Sequence, residues 1–399
     1  MRRVIYAWNY VEWGGSQIYI LSLIREARKS FDVVIALPRG TDSEFLGFLK
    51  AEGIRYEEFD AAVNIKPATG LFDKFERHWS KIKSEYQMLR KIEEIGLVDS
   101  IVHADILPTQ SLTALIWLCI RAEVFITSHN ALPHVPIWRW LLWKVKFRIV
   151  SRFDSLHVLC SNEHAAIYFR RLFAGKVADD ISVTYAGIDP AEIGKALEIP
   201  LDRESVLLQI GIPTDKFIVL AVGQFVDRKG RWTFLEAAKQ VLAKTDDVVF
   251  VWIMPRLPNE ADRSKVERFG LGDAFRMVST EEVGRERQDV FKFYRAADVY
   301  ALPSLVEGLP ISLLQAMAFG LASVSTNVYG IPEAIIDERT GLLIEPDDPP
   351  ALVDAIIRLK SDEHLRQRLS DAGRKHVISY FDERVAAKTA VAAYISVSR

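Results

Sequence analysis

The sequence predicts an α/β protein made of two doubly wound parallel-sheet domains in tandem. Three observations carry this expectation. Short, β-branched apolar runs alternate with longer stretches of helical period, and the scheme occurs twice along the chain. The 399 residues exceed the roughly 250–300 that one hydrophobic core usually serves. Residues able to do chemistry follow directly after the apolar runs, where such sheets bind ligands.

In order, the first half holds the runs "VIYAW" (4–8), "FDVVIAL" (31–37), "SIVHA" (100–104), "VFITSH" (124–129) and "SLHVLC" (155–160). Segments of helical period lie between them, among them 17–29 and 72–95. The second half holds "FIVLAVG" (217–223), "VVFVWIM" (248–254), "AFRMVS" (274–279), "VYALP" (299–303), "ASVSTN" (322–327) and "GLLIEP" (341–346). Near-continuous apolar runs of this length suit strands covered on both faces. The stretch 191–215 is polar and contains Pro200 and Pro213, so it reads as a linker between domains 1–190 and 216–380. A last helix, Glu383–Ser396, follows a break at Tyr380-Phe381-Asp382. No short-period repeat or low-complexity tract interrupts the pattern.

Composition narrows the function. Hydrophobic residues make up 49% and charged residues 26%, which fits a soluble chain with large cores. A net charge of −2 gives no global field to gather nucleic acid. Cys119 and Cys160 both lie in apolar runs and read as buried free thiols of a reducing compartment. The start "MRRVIYAWNYVEWGGS" has too short an apolar run for a secretory segment. No stretch reaches the roughly 20 apolar residues of a membrane span, so a cytoplasmic location is expected.

The loops after the runs carry the chemistry. Gly14 and Gly15 follow the first run and allow close backbone approach at a helix start. That turn suits an anion, and equally a tight structural connection; it is not the G-x-G-x-x-G dinucleotide fingerprint. His129 ends the fourth run in a loop, a better site candidate than His103, which sits between Val102 and Ala104. Neither has ligand-spaced neighbours for zinc. In "GQFVDRKGRW", Lys229 with Gly230 opens a helix, a natural partner for phosphate; Arg228, one residue away, is expected to point elsewhere. In "SLVEGLPISLLQAMAFG", Glu307 can accept hydroxyl hydrogen bonds. Gly308, Leu309 and Pro310 form a turn into a helix whose early N–H groups, around Ile311, can face an anion. Gln315 can bond a hydroxyl as donor or acceptor.

Taken together, "SHN", "VGQFVDRKG", "PSLVEGLPISLLQAMAFG" and "NVYGIPEAI" resemble the retaining glycosyltransferases of family 4, from Gly14-Gly15 to Gly341. The resemblance implies the GT-B fold, with two Rossmann-like domains facing across a cleft and a final helix, about 381–399, packing back on the first domain. It implies transfer of a hexosyl group from a nucleoside-diphosphate sugar to a hydroxyl of a glycan or lipid-linked acceptor, in envelope polysaccharide or glycolipid synthesis. Family frequency places uridine diphosphate sugars first and guanosine diphosphate mannose second. Catalytic roles then fall on His129, Lys229 and Glu307. Donor-binding roles fall on Gly14, Gly15, Gln224, Gly308, Leu309, Pro310, Ile311, Gln315 and Glu333, the last in a Gly-x-x-Glu segment with Gly330. No cofactor beyond the donor is implied. No D-x-D motif appears, so no obligatory metal is expected, and pairs such as Asp246-Asp247 read as solvated surface.

Two positions depart from the family pattern. Gln224 stands where an arginine is usual, and Gln315 where a second glutamate is usual. Both read as tuning of donor binding, with Arg256 considered as a replacement cation. These departures keep two other readings open: a nucleotide-sugar-binding module without turnover, and a nucleotide-sugar epimerase of the same fold.

The acceptor side has one signal. No acid occurs from 124 to 153, and "PIWRWLLWKVKFRIVSR" carries Arg139, Lys144, Lys146, Arg148 and Arg152. At 100° per residue, Trp138, Leu141, Leu142, Val145 and Ile149 make one apolar stripe; Trp140, Trp143, Phe147 and Val150 make another. One stripe packs on the sheet. The Trp-rich one, framed by cations, suits an anionic membrane surface, a neighbouring loop or a dimer contact through 136–152.

Overall fold

The computed structural model describes residues 1–11, 15–61, 70–132, 135–284 and 286–398. The chain forms two compact units: Met1–Tyr185 with Arg384–Arg399, and Ala186–Glu383.

The first unit is a seven-stranded parallel sheet. Its strands are β1 (Arg3–Ala7), β2 (Asp32–Pro38), β3 (Arg55–Phe59), β4 (Ser100–Ala104), β5 (Glu123–Ser128), β6 (Leu156–Cys160) and β7 (Ser182–Val183). Their order is β3-β2-β1-β4-β5-β6-β7, so the winding reverses between β1 and β4. The central strands are buried on both faces, which is why they are continuous apolar runs in the sequence. Two strands have no such run. Arg55–Phe59 is an edge strand with alternating exposure, and Ser182–Val183 has only two residues.

The second unit is a six-stranded parallel sheet: β8 (Phe217–Val222), β9 (Val248–Met254), β10 (Phe275–Ser279), β11 (Val299–Leu302), β12 (Ala322–Thr326) and β13 (Leu342–Ile344), in the order β10-β9-β8-β11-β12-β13. The winding reverses between β8 and β11.

The stretch 191–215, expected as a linker, instead belongs to the second unit and carries helices Pro190–Glu198 and Arg203–Gln209. Its polar residues are helix-start signals. Asp189 and Asp202 cap the backbone N–H groups of Ala191 and Ser205, and Pro190 takes the first turn. Arg203 then fixes the second helix to the end of the helix Arg287–Ala296 and to the turn before β8 through the carbonyls of Ala296 and Thr214, at 3.0 and 2.7 Å.

The helix Glu383–Ser396 packs within the first unit by a buried polar cluster. The Tyr394 hydroxyl meets His103 Nδ1 at 2.5 Å, and His103 Nε2 meets Thr127 Oγ1 at 2.8 Å. His103 is therefore a satisfied core residue, and burial pushes its imidazole down to about 3.

On the helix Ile137–Val150 the structure reverses the expected orientation. The Trp-rich stripe faces the core, with Trp143, Phe147 and Val150 buried. The exposed stripe is Trp138, Leu141, Leu142 and Val145, joined by Ile137. Phe147 packs there against the rings of Phe169 and Phe173, at centroid distances of 5.7 and 4.8 Å.

Candidate active site

In the second unit the loops after β8 and β11 are neighbours, because those two strands lie side by side where the winding reverses. Open α/β sheets bind ligands at this point. The two loops interlock through Gly230. It takes φ +71°, and a Cβ built there would lie 1.7 Å from the Pro303 carbonyl oxygen. Only glycine permits that approach. The Arg228 carbonyl closes the contact by accepting from the N–H groups of Leu305 and Val306, at 2.8 and 3.2 Å.

This backbone lock brings four side chains together. Lys229 Nζ forms an ion pair with Glu307 Oε1, and both residues are buried, 8% and 7% exposed. Arg228 Nη1 donates to the same carboxylate oxygen at 3.0 Å. Arg228 Nη2 donates to Gln224 Oε1 at 3.3 Å. Arg228 therefore does not point elsewhere, as its adjacency to Lys229 suggested. Alternation of side chains holds on strands; Asp227–Lys229 is a single 3-10 turn, where successive side chains are about 120° apart and both can face one carboxylate. The Arg-Lys doublet between a glycine turn and a helix start was the available signal. Arg256, the cation considered for this role, is exposed in the turn after β9.

The helix Ile311–Ala318 begins four residues beyond Glu307. Pro310 caps it without a side-chain hydrogen bond and no acid lies in its first turn, so the positive end of the helix remains unneutralised by its own side chains. Gly308 and Leu309 lead into that turn. Gln315 lies one turn on, 8% exposed, with its side-chain carbonyl accepting from the Tyr294 hydroxyl at 3.3 Å. Glu333 sits in the short helix Ile331–Ala334 after β12, and its backbone carbonyl meets His376 Nε2 at 3.0 Å.

The remaining candidates belong to the first unit. Gly14 lies outside the described residues. Gly15 opens the helix Gly15–Ala27 after β1. His129 follows β5; its backbone carbonyl accepts from Asn162 Nδ2 at 2.8 Å, and its ring packs edge-on against Tyr19. The residue as a whole is half-buried, but Nε2 is buried and has no hydrogen-bond partner among the described residues. Burial lowers its pKa, so the imidazole is neutral at pH 7.

What this arrangement can do is plain from its charges. Two cations face one carboxylate beside an uncapped helix start, so the site carries surplus positive potential for an anion. A carboxylate, a glutamine and backbone amides stand next to it for hydroxyl groups.

Comparison with known proteins agrees. Residues 202–376 match the family model described as glycosyl transferases group 1. A D-inositol 3-phosphate glycosyltransferase of Corynebacterium urealyticum is 28% identical over 190 residues, 46% of this chain and 44% of that protein. A UDP-Gal:alpha-D-GlcNAc-diphosphoundecaprenol alpha-1,3-galactosyltransferase of Escherichia coli is 27% identical, over 57% of this chain and 56% of its own. The chain thus spans about half the length of the curated relatives it matches. Over its whole length the fold is similar to that of HepE from Anabaena, solved with UDP and glucose, at a TM-score of 0.77 and 17% identity, covering 99% of this chain and 100% of the other. Residues 202–376, most of the second unit, are thus similar to the glycosyl transferases group 1, and the chain as a whole has the GT-B fold.

Proposed function

We propose that this protein is a retaining, metal-independent hexosyltransferase. It takes a hexosyl group from a nucleoside-diphosphate sugar, a UDP-sugar first and GDP-mannose second, and attaches it to a hydroxyl of a glycan or lipid-linked acceptor. The observation that carries this is the buried Lys229–Glu307 pair at the reversal of the second sheet. A buried lysine held by a carboxylate next to an uncapped helix start is an arrangement for an anion bearing a hydroxylated group. The relatives' names, one of them a galactosyltransferase using a diphosphoundecaprenol-linked acceptor, support the same class.

The chemistry follows from the charges. The bond between C1 of the donor sugar and the diphosphate oxygen breaks, leaving negative charge on the diphosphate and oxocarbenium character on the sugar. Lys229 and the N–H groups near Ile311 stabilise the leaving diphosphate. Glu307 and the amides of Gly308 and Leu309 hold sugar hydroxyls. Neutral His129 donates or accepts one hydrogen bond to the sugar, and Gln315 and Glu333 bind the rest of the donor. The acceptor oxygen forms its bond to C1 on the face that the diphosphate leaves, and its proton passes to a diphosphate oxygen. The lysine, the arginine beside it and the helix start together do the charge neutralisation that a divalent cation does elsewhere.

The acceptor side is proposed to be a membrane surface at the cytoplasmic face. The helix Ile137–Val150 shows solvent Ile137, Trp138, Leu141, Leu142 and Val145, with Arg139, Lys144, Lys146 and Arg148 around them. The positive, acid-free frame selects an anionic lipid surface over a second copy of this chain, whose identical patch would repel it.

Nucleoside-diphosphate release is the test, measured over a panel of sugar nucleotides with and without membrane-lipid extract, on the wild type and Lys229→Ala. Release from one donor, abolished by the substitution and raised by lipid, is expected. Donor binding without release would replace this reading by a binding module. Release of nucleotide with a changed free sugar and no acceptor requirement would replace it by an epimerase.

A further inference from the structure

We propose that Arg228 is the second diphosphate-binding cation of this protein, delivering from residue 228 the charge that Gln224 lacks. The inference rests on the transferase reading above and concerns which residues hold the donor.

The geometry supports it in three ways. The guanidinium of Arg228 ends 3.3 Å from the end of the Gln224 side chain, so a charge placed on either residue occupies nearly the same space. Second, the cluster is not electrically balanced. Lys229 and Arg228 share the single carboxylate of Glu307. The other acid of the turn, Asp227, accepts from Arg231 and from the indole of Trp232, each at 2.8 Å, and Arg231 also pairs with Asp262 at 2.7 Å, which Lys265 meets at 3.2 Å, so that these two cations and two acids balance. Among the described residues, one positive charge is therefore left over, beside an uncapped helix start, where an anion is stabilised. Third, Arg228 is presented for a ligand. Its side chain is 48% exposed, against 10% for Lys229, and its two bonds inside the cluster use two of five N–H donors. Three donors remain for phosphate oxygens.

Gln224 then has a definite task. Its neutral carbonyl orients the guanidinium without neutralising it, which a glutamate at 224 would do. An arginine at 224 would meet Arg228 end to end and repel it. The two positions carry one cation between them, and this chain places it at 228.

The test is an exchange of the pair, read by calorimetric binding of uridine diphosphate and guanosine diphosphate, with the free nucleosides as reference, and by the split of kcat against KM. Arg228→Gln is expected to weaken nucleoside-diphosphate binding about 10- to 100-fold, the worth of one or two charge-assisted hydrogen bonds, with little change for the nucleoside. Adding Gln224→Arg to that variant should restore binding to within about threefold of the wild type. Gln224→Arg alone should not improve on the wild type, because of the repulsion. Melting temperatures of all variants report whether the loop still folds. If Arg228→Gln binds as the wild type does, or if the exchanged pair binds no better than Arg228→Gln, the assignment is overturned. Binding lost in Lys229→Ala but unaffected in Arg228→Gln overturns this inference alone. Absence of binding in the wild type overturns the transferase reading and this inference with it.

Discussion

Gly230→Ala isolates the contact that builds the site. The added Cβ would lie 1.7 Å from the Pro303 carbonyl oxygen, where ordinary van der Waals contact begins near 3.4 Å. Relief requires the loop after β11 to move away from the loop after β8 by roughly 1.5 Å. Alanine at φ +71° adds about 1–2 kcal/mol of backbone strain. Forced separation of packed loops adds about 1–3 kcal/mol. Gly270 provides the control, since it has φ +67° and a Cβ added to it would meet no atom within 4 Å, so Gly270→Ala carries the strain without the clash. The expected result is a melting temperature for Gly230→Ala several degrees below that of Gly270→Ala. Glu307 moves with Pro303, so donor turnover should fall about 100-fold in Gly230→Ala and remain near wild type in Gly270→Ala, as a displacement of about 1 Å can cost that much. Calorimetry and nucleoside-diphosphate release measure the two quantities. Equal melting temperatures with unimpaired turnover in Gly230→Ala would refute the claim that this glycine locks the two loops.

Other outcomes follow from the same geometry. Glu307→Ala removes the carboxylate that pairs with both Lys229 and Arg228; turnover should drop on the order of 100-fold or more with the fold retained by circular dichroism, and near-normal turnover would take Glu307 out of the site. Gln315→Glu should keep kcat/KM within a few-fold, because the Tyr294 hydroxyl that now donates to the amide carbonyl can donate to a carboxylate; a large loss would show that the glutamine is adapted to one donor. The pKa values of His103, about 3, and of His129 lie below the ordinary 6.5 because both rings are buried neutral. Below about pH 6.5 the unfolded chain therefore binds protons that the folded one refuses. Their contribution to stability should be constant above that pH and fall below it by up to about 1.4 kcal/mol per pH unit for each histidine, for His103 down to about 3. Melts from pH 7 to 4 measure this, and an unchanged slope in His103→Gln would remove His103 as a source. Leu141→Glu places a charge on the exposed stripe; cosedimentation with phosphatidylglycerol vesicles should weaken roughly tenfold while the melting temperature stays put, and undiminished binding would argue against this face as the membrane contact.

Much of this protein was legible in local sequence pattern. A strand covered on both faces must be apolar along its length, so Val4–Trp8, Val248–Met254 and their like announce themselves, and the residues after them mark the ligand end of each sheet. A glycine before a helix and an acid before a Gly-Leu-Pro turn marked Lys229 and Glu307 as candidates, and the structure brings those two side chains together. The helix Glu383–Ser396 also showed in the sequence, with its start at the break before it.

Other features depend on which distant segments meet, and periodicity does not encode that. The strand Arg55–Phe59 is an edge, so it needs no apolar run and leaves none to see. Both stripes of the helix Ile137–Val150 are apolar, and only distant core partners such as Phe169 and Phe173 distinguish Trp143, Phe147 and Val150 as the inward face. Nothing local to His103 points to Tyr394, 291 residues away, whose hydroxyl meets its ring nitrogen. Arg228 shows the same limit at the site itself. The sequence by itself determined that a lysine and an acid stand at the ends of two strands. Tertiary structure alone decided that those strands are neighbours, that Gly230 lets their loops touch, and that a second cation turns onto the same carboxylate, because side-chain direction in a short turn is set by the contacts it closes.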